Sequence, residues 1–228
     1  MARILVINPN SSDACGAGIS ASIAPLRFPG GPMLDVVSVP EGPAAIYTWR
    51  DWHAAVEPIC RCVEREVADV YVIACASDPG IAAARAATFR PVLGVFRSAV
   101  CAAVAQAERF GVVAIVDASK ARHLAALRAM GLEARLAGEV ALNVSMDALL
   151  DPKAARQAMV DAARTCVDAG AEAVILGCTG MAHHRAALED ATGVPVIEPC
   201  QAAAGLAIAM VASGLSQPDP CVRRGAPG

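Results

Sequence analysis

Two cysteines stand in matched settings. Cys75 closes the run Asp69-Val70-Tyr71-Val72-Ile73-Ala74 and is followed by Ala76-Ser77-Asp78-Pro79-Gly80. Cys178 closes Glu172-Ala173-Val174-Ile175-Leu176-Gly177 and is followed by Thr179-Gly180-Met181. Each run is of strand length, opened by an acid and unbroken in its apolar character, as expected of a strand buried on both faces. The carboxyl ends of such strands are where open α/β sheets hold ligands. One thiolate and one thiol facing a single acidic C–H could invert that centre: one removes the proton, the other returns a proton to the opposite face. This acid–base chemistry needs groups that titrate not far from neutrality. A free thiol, near 8.5 and lower at a helix N-terminus, is of that kind. Both cysteines are expected to precede a helix start, where free N–H groups and the helix dipole favour a thiolate and an enolate oxygen. Ser77, Thr179 and the amides around Gly180 are the expected contributors, with Asn8 and Asn10 donating from across the cleft.

A cysteine at a buried strand end is also a small hydrophobe, and it is the matched context that sets these two apart. Cys15, Cys60, Cys62, Cys101, Cys166, Cys200 and Cys221 fall in helical or tail patterns and read as structural. Cys60 and Cys62 lie two apart on a helix and so face different ways, and no metal site is expected. His183 and His184 read as surface helix positions, and Asp78 as a helix cap. Neither cysteine motif is CxxC, which weakens a redox reading. No GxGxxG or Walker pattern marks a nucleotide site.

The elements needed to position the thiols repeat once along the chain. Strands are expected at 4–7, 34–39, 69–74 and 91–95, then at 112–116, 132–136 (weak), 172–177 and 194–197. Between them fall helices at 13–24, 51–67 (with Pro58 marking a kink or the true start), 79–87 (with Pro79 at its first position), 98–109, 120–130, 152–169 and 181–191, and a final one at 201–212. Ser11 and Ser12 supply N-caps, Asp151 caps the long helix, and Gly131 is a C-cap. Each half thus reads as an α/β unit with a small parallel four-stranded sheet. The expected division is 1–96 plus 200–213 for the first domain, 97–199 for the second, and 214–228 as a tail. The strand carboxyl ends of the two halves would face one another across a cleft.

Bulk composition agrees with a folded enzyme-sized chain. Over half of the 228 residues are hydrophobic, mean hydropathy is +0.47, and net charge is −3 without a basic block. Neither nucleic acid nor a membrane surface is an expected partner. The apolar start is too short for a signal peptide, and no segment is long enough to span a bilayer. The expectation is a cytoplasmic protein whose nine cysteines are reduced thiols.

The combination of Asn8-Pro9-Asn10-Ser11-Ser12, Cys75-Ala76-Ser77-Asp78-Pro79-Gly80, Gly177-Cys178-Thr179-Gly180-Met181 and Gly193-Val194-Pro195-Val196-Ile197-Glu198 resembles the aspartate/glutamate/hydantoin racemase superfamily, nearest to its hydantoin and allantoin racemases. The resemblance runs to about Ser213. It implies two pseudo-symmetric three-layer α/β domains, homo-oligomers, and cofactor-independent racemisation of a small molecule, a 5-substituted hydantoin or an allantoin-like compound. Cys75 and Cys178 fall on the catalytic cysteines, Asn8 on an asparagine facing the substrate, and Ser77 and Thr179 on small polar residues of the carbonyl site. Asn10, Asp78 and Gly180 complete the substrate-binding set on the polar side. Two places depart from the pattern. A pair of threonines usual in the hydantoin branch is here Ala114 and Ile115. A loop usually reading Gly-Pro-x-Ser-Ile-Glu is here Gly42-Pro43-Ala44-Ala45-Ile46-Tyr47. Ile46, Tyr47 and Ile115 thus join the substrate-binding set and make the pocket less polar. Two rival readings stay open: a decarboxylase or isomerase of the same superfamily using one cysteine as nucleophile, and a non-catalytic small-molecule-binding homologue.

Overall fold

A computed structural model describes residues 1–145, 148–149 and 155–215 of the chain. The expected cap Asp151 and the tail from residue 216 lie outside them. Strands β1 (Arg3–Asn8), β2 (Met33–Ser38), β3 (Val70–Ile73) and β4 (Val92–Gly94) form one all-parallel sheet in the order β2-β1-β3-β4. Strands β5 (Phe110–Ala114), β6 (Leu136–Ala141), β7 (Ala173–Gly177) and β8 (Val196–Ile197) form a second all-parallel sheet in the order β6-β5-β7-β8. The two orders are the same, so the duplication read from the sequence is a duplication of topology.

The helices are α1 (Asp13–Ile23), α2 (Trp49–Ala54), α3 (Val56–Arg65), α4 (Ile81–Ala87), α5 (Val95–Val104), α6 (Asp117–Met130), α7 (Arg156–Asp168), α8 (Arg185–Thr192) and α9 (Pro199–Ala212). Strand side chains alternate between two apolar layers. Ile4, Val6, Val70 and Val72 face α1 and α9, whereas Leu5, Ile7, Tyr71 and Ile73 face α3 and α4. In the second sheet Val113, Val174 and Leu176 face α7 and α8, while Val112, Ala173 and Ile175 face α5 and α6.

Two helices cross between the halves. Phe96, Ala99, Val100 and Ala103 of α5 leave the end of β4 and pack on the second sheet. Cys200, Ala203, Ala204 and Ala207 of α9 leave the end of β8 and pack on the first. Both helices are alanine-rich, which allows close approach to a sheet. Glu198 starts α9 by accepting from Cys200 N (3.1 Å) and Gln201 N (2.6 Å).

Several boundaries differ from expectation. The long helix is two helices broken at Ala55, because Pro58 cannot donate to Ala54 and its ring crowds that carbonyl. The weak strand at 132–136 is a short 3-10 turn at Glu133–Arg135, and β6 follows at Leu136–Ala141. The helix after Cys178 opens as a 3-10 turn (Thr179–His184) before α8. Asp78 does not cap α4. Gly80, in the left-handed region at φ 65°, is the residue ahead of that helix. The Asp78 carboxylate instead caps α5: Phe96 N and Arg97 N donate to it at 2.9 and 3.0 Å, and Arg97 Nη1 at 2.9 Å. The fit is tight, since a Cβ on Gly94 would come within 2.2 Å of that carboxylate.

Removing this cap leaves the buried Phe96 N–H, the half-buried Arg97 N–H and the Arg97 guanidinium without their acceptor. Asp78→Ala should therefore cost roughly 2–4 kcal/mol in denaturant unfolding, and Gly94→Ala should fall in the same direction. Arg61→Ala, which breaks an exposed pair with Glu57, should stay within about 0.5 kcal/mol. An unchanged midpoint for Asp78→Ala would refute the capping role.

Candidate active site

β3 and β7 occupy equivalent places in their sheets, and each delivers its cysteine at the carboxyl end. After β3, Ala74 N still donates to Ile7 O at 2.8 Å, and Cys75 begins a turn closed by Asp78 N donating to Cys75 O at 2.8 Å. After β7, Cys178 is the residue ahead of the 3-10 turn, with Met181 N donating to its carbonyl at 3.1 Å. Only Cys178 thus stands directly at a helix start; Cys75 is six residues ahead of α4.

The two cysteines line one small cavity of about 40 Å³. Asn10, Ile46, Tyr47, Ser77, Ile115 and Thr179 line it with them. Three other expected residues do not, and each for a physical reason. Asn8 is fully buried, its Nδ2 donating to Asn10 Oδ1, Ser12 O and Ser38 Oγ, each at 3.1 Å. It holds Asn10 in place rather than facing the cavity. With Oδ1 also accepting from Ser12 N at 2.9 Å, Asn10 has its NH₂ group left for the cavity. Asp78 is turned away to α5, as described above. Gly180 borders a separate groove with Gly18, Ala21 and His183, but its N–H reaches the Cys178 sulfur.

That last contact has a counterpart. Ser77 meets Cys75 through its backbone N–H and through its hydroxyl, with Oγ 3.5 Å from Sγ. In each motif the residue two after the cysteine points a backbone N–H at the sulfur, so the duplication extends to the thiol environment. Burial works against both thiols. It pushes Cys75 up, partly offset by the Ser77 contacts and the Arg122 charge. It pushes Cys178 up to about 12, partly offset by the Gly180 N–H. The expected lowering at a helix N-terminus is thus outweighed by desolvation.

Three lining residues escaped the sequence reading: Ser119, Arg122 and His123. All lie on α6, at most 3% exposed, at a spacing that shares one helix face. A polar i, i+3, i+4 set after a strand's carboxyl end was the signal available. Arg122 Nη2 donates to Tyr47 O at 3.2 Å, tying the loop before α2 to α6 across the cleft. Trp52 Nε1 donates to Ser77 O at 3.0 Å and ties the same segment to the Cys75 turn. His123 Nδ1 is 2.6 Å from Glu139 Oε1, and its ring stacks on Phe96 with centroids 4.4 Å apart. His184, expected at the surface, is buried in the core, and burial pushes it down to about 4. His183 is exposed. Among the described residues, no group of three or more His, Cys, Asp or Glu side chains is arranged to hold a metal, and the eight cysteines are free thiols.

A family model described as Asp/Glu/Hydantoin racemase matches residues 4–207. The chain belongs to this family. It is 37% identical over 219 residues to a hydantoin racemase of Paenarthrobacter aurescens, covering 93% of this chain and 92% of that one. Its fold matches the allantoin racemase structure from Klebsiella pneumoniae with a TM-score of 0.86 and 30% identity, over 96% and 91% of the two chains. A glutamate racemase from Francisella tularensis shares the two-sheet fold at a TM-score of 0.68 and 16% identity, over 94% of this chain and 82% of that one.

Thiol alkylation followed by mass spectrometry checks the burial of the pair. At neutral pH exposed Cys101 should react well ahead of Cys75 and Cys178. The rates at Cys75 and Cys178 should climb with pH as thiolate forms. Modification of Cys178 as fast as Cys101 near neutrality would contradict the desolvated environment.

Proposed function

We propose that Cys75 and Cys178 address opposite faces of one stereocentre and invert it by proton transfer alone. The observation that carries this is the shared cavity, to which each half of the fold brings one thiol with its own N–H donor. In the reaction the thiolate of one cysteine takes the proton from the carbon next to a carbonyl. The electron pair moves into that carbonyl as an enolate. The thiol of the other cysteine then gives its proton to the opposite face and becomes the thiolate. Atoms and charge balance without a cofactor, and proton exchange with solvent restores the starting forms.

The enzyme is a racemase, and a hydantoin-type ring is its substrate class. The ring's acidic C–H lies between a carbonyl and a nitrogen. Ile46 and Ile115 give such a ring an apolar wall to lie against. Cys178, held up more firmly by burial and by the neighbouring Cys75 charge, serves as the proton-bearing partner in the resting pair. Cys75, next to Ser77 and within reach of the Arg122 field, is the side that ionises first.

The division into 1–96 with 200–213 and 97–199 is proposed on the packing of α5 and α9. The chain is also proposed to work in the cytoplasm as a homo-oligomer. Among the described residues no helix is long and apolar enough to cross a membrane. Exposed Phe28, Met33, Trp49 and Phe89 offer apolar surface for contact between copies.

Chiral chromatography and deuterium exchange on a panel of hydantoins and allantoin test the mechanism. Cys75→Ala and Cys178→Ala should each lower racemisation by roughly 10²–10⁴ or more. Cys→Ser on one side should leave solvent exchange from one enantiomer only. A single Ala variant racemising at the parent rate would refute the two-base mechanism, and a covalent adduct trapped on one cysteine would favour a nucleophilic one. Because the thiols are pushed up, the parent rate should still be climbing beyond the ordinary free-thiol value of about 8.5 rather than levelling off there.

A further inference from the structure

Arg122 combines three properties seldom found together. It is buried, at 3% exposure, and it lines the cysteine cavity. Its hydrogen bonds go to neutral acceptors: Nη1 to Ala118 O at 3.0 Å, and Nη2 to Tyr47 O at 3.2 Å and Ser119 Oγ at 3.1 Å. Its Nε is buried without a hydrogen-bond partner. A guanidinium carries five N–H donors in a planar fork, and these contacts leave two without an acceptor.

Among the described residues no carboxylate forms an ion pair with Arg122. Cys75 and, after it, Asp51 are the acidic groups that feel its charge. The Asp51 carboxylate, however, accepts from Thr48 N, Thr48 Oγ1 and Tyr47 N at 2.9–3.2 Å, as a cap of α2. The other neighbour is the Trp49 ring, 5.8 Å away. A buried cation without a counter-ion is strongly unfavourable, and it becomes favourable when an anion with matching geometry arrives. Of the residues lining the cavity, Arg122 is the one arginine or lysine; His123 is held by Glu139.

We propose that Arg122 receives a carboxylate carried on the substituent of the stereocentre, so that the preferred substrates are hydantoins of acidic amino acids. The proposal rests on the racemase reading above and narrows its substrate class. The unpartnered Nε–H would donate to that carboxylate in a charge-assisted hydrogen bond. The ring would then lie against Ile46 and Ile115, with its acidic carbon between the two sulfurs. Arg122 is in this view a specificity residue; its contact with Tyr47 also holds the loop, and the test must separate the two roles.

The test uses a matched pair of ligands: a hydantoin with a carboxyethyl arm at the stereocentre, and the same molecule with a carboxamide in place of the carboxylate. Calorimetric titration of the parent protein should show the carboxylate bound at least about tenfold more tightly. Arg122→Met should bring that ratio to about one, and Arg122→Lys should retain part of it. A loop-holding role alone would weaken both ligands equally and leave the ratio untouched. Equal binding of the pair by the parent protein would overturn the proposal whether or not the variants fold. A ratio surviving in folded Arg122→Met would overturn it too. Racemisation and deuterium exchange are measured on the same pair. If neither ligand turns over, the racemase reading fails, and the binding ratio still decides whether Arg122 is a carboxylate site.

Discussion

The Asp78 carboxylate holds the two halves of the molecule in register at the place where chemistry is proposed. It sits three residues after Cys75, in the turn that follows β3, and it accepts both the backbone N–H groups that open α5 and the Arg97 guanidinium. Helix α5 is the element that leaves the first sheet and packs on the second. A buried charge fixes both the cysteine turn and the direction of the crossing helix. Burial of such a group is tolerated because three donors surround it. The contact lies three residues from Cys75, which lines the shared cavity.

The same balance between burial and compensation governs the thiols. Enclosing both sulfurs between two halves of a fold removes water and pushes them toward their neutral forms. Backbone N–H groups two residues on oppose that shift on each side, and a hydroxyl and a guanidinium oppose it further at Cys75. The result is a pair with unequal tendencies to ionise, as a reaction needing one base and one acid requires. A dry site also strengthens every dipole aimed at a developing enolate. The desolvation that keeps the thiols protonated in the resting site thus makes a thiolate formed there a stronger base.

Much of this architecture was visible in one dimension. The apolar runs ending at Cys75 and Cys178 became β3 and β7, and the repeat of elements became two sheets with the same strand order. Strands buried on both faces announce themselves by continuous hydrophobicity, and Gly131 marked a helix end by its left-handed backbone. The eight site residues that do share the cavity were reached by motif and by resemblance. The three expected residues outside the cavity have something in common. Asn8, Asp78 and Gly180 are polar or small residues in the correct loops, and nothing local says whether such a group faces a cavity or a neighbouring backbone. Ser119, Arg122 and His123 were not singled out, since the sequence expectation for this region was only a helix at 120–130. Their importance depends on which face of α6 meets the cleft.

The amino-acid sequence by itself determined the elements, their order, the duplication and the placement of a thiol at each of two equivalent strand ends. Those properties depend on hydrophobic periodicity and turn chemistry, which act over a few residues. The tertiary structure decided what surrounds the thiols. It made Asp78 a cap for a helix 17 residues further on, sent the Gly180 N–H to the Cys178 sulfur, and placed Arg122 in the cavity without a counter-charge. These depend on contacts between residues far apart in the chain, set when α5 and α9 cross between the halves. Local propensity carries no information about them, because the partner of a buried charge is chosen by packing.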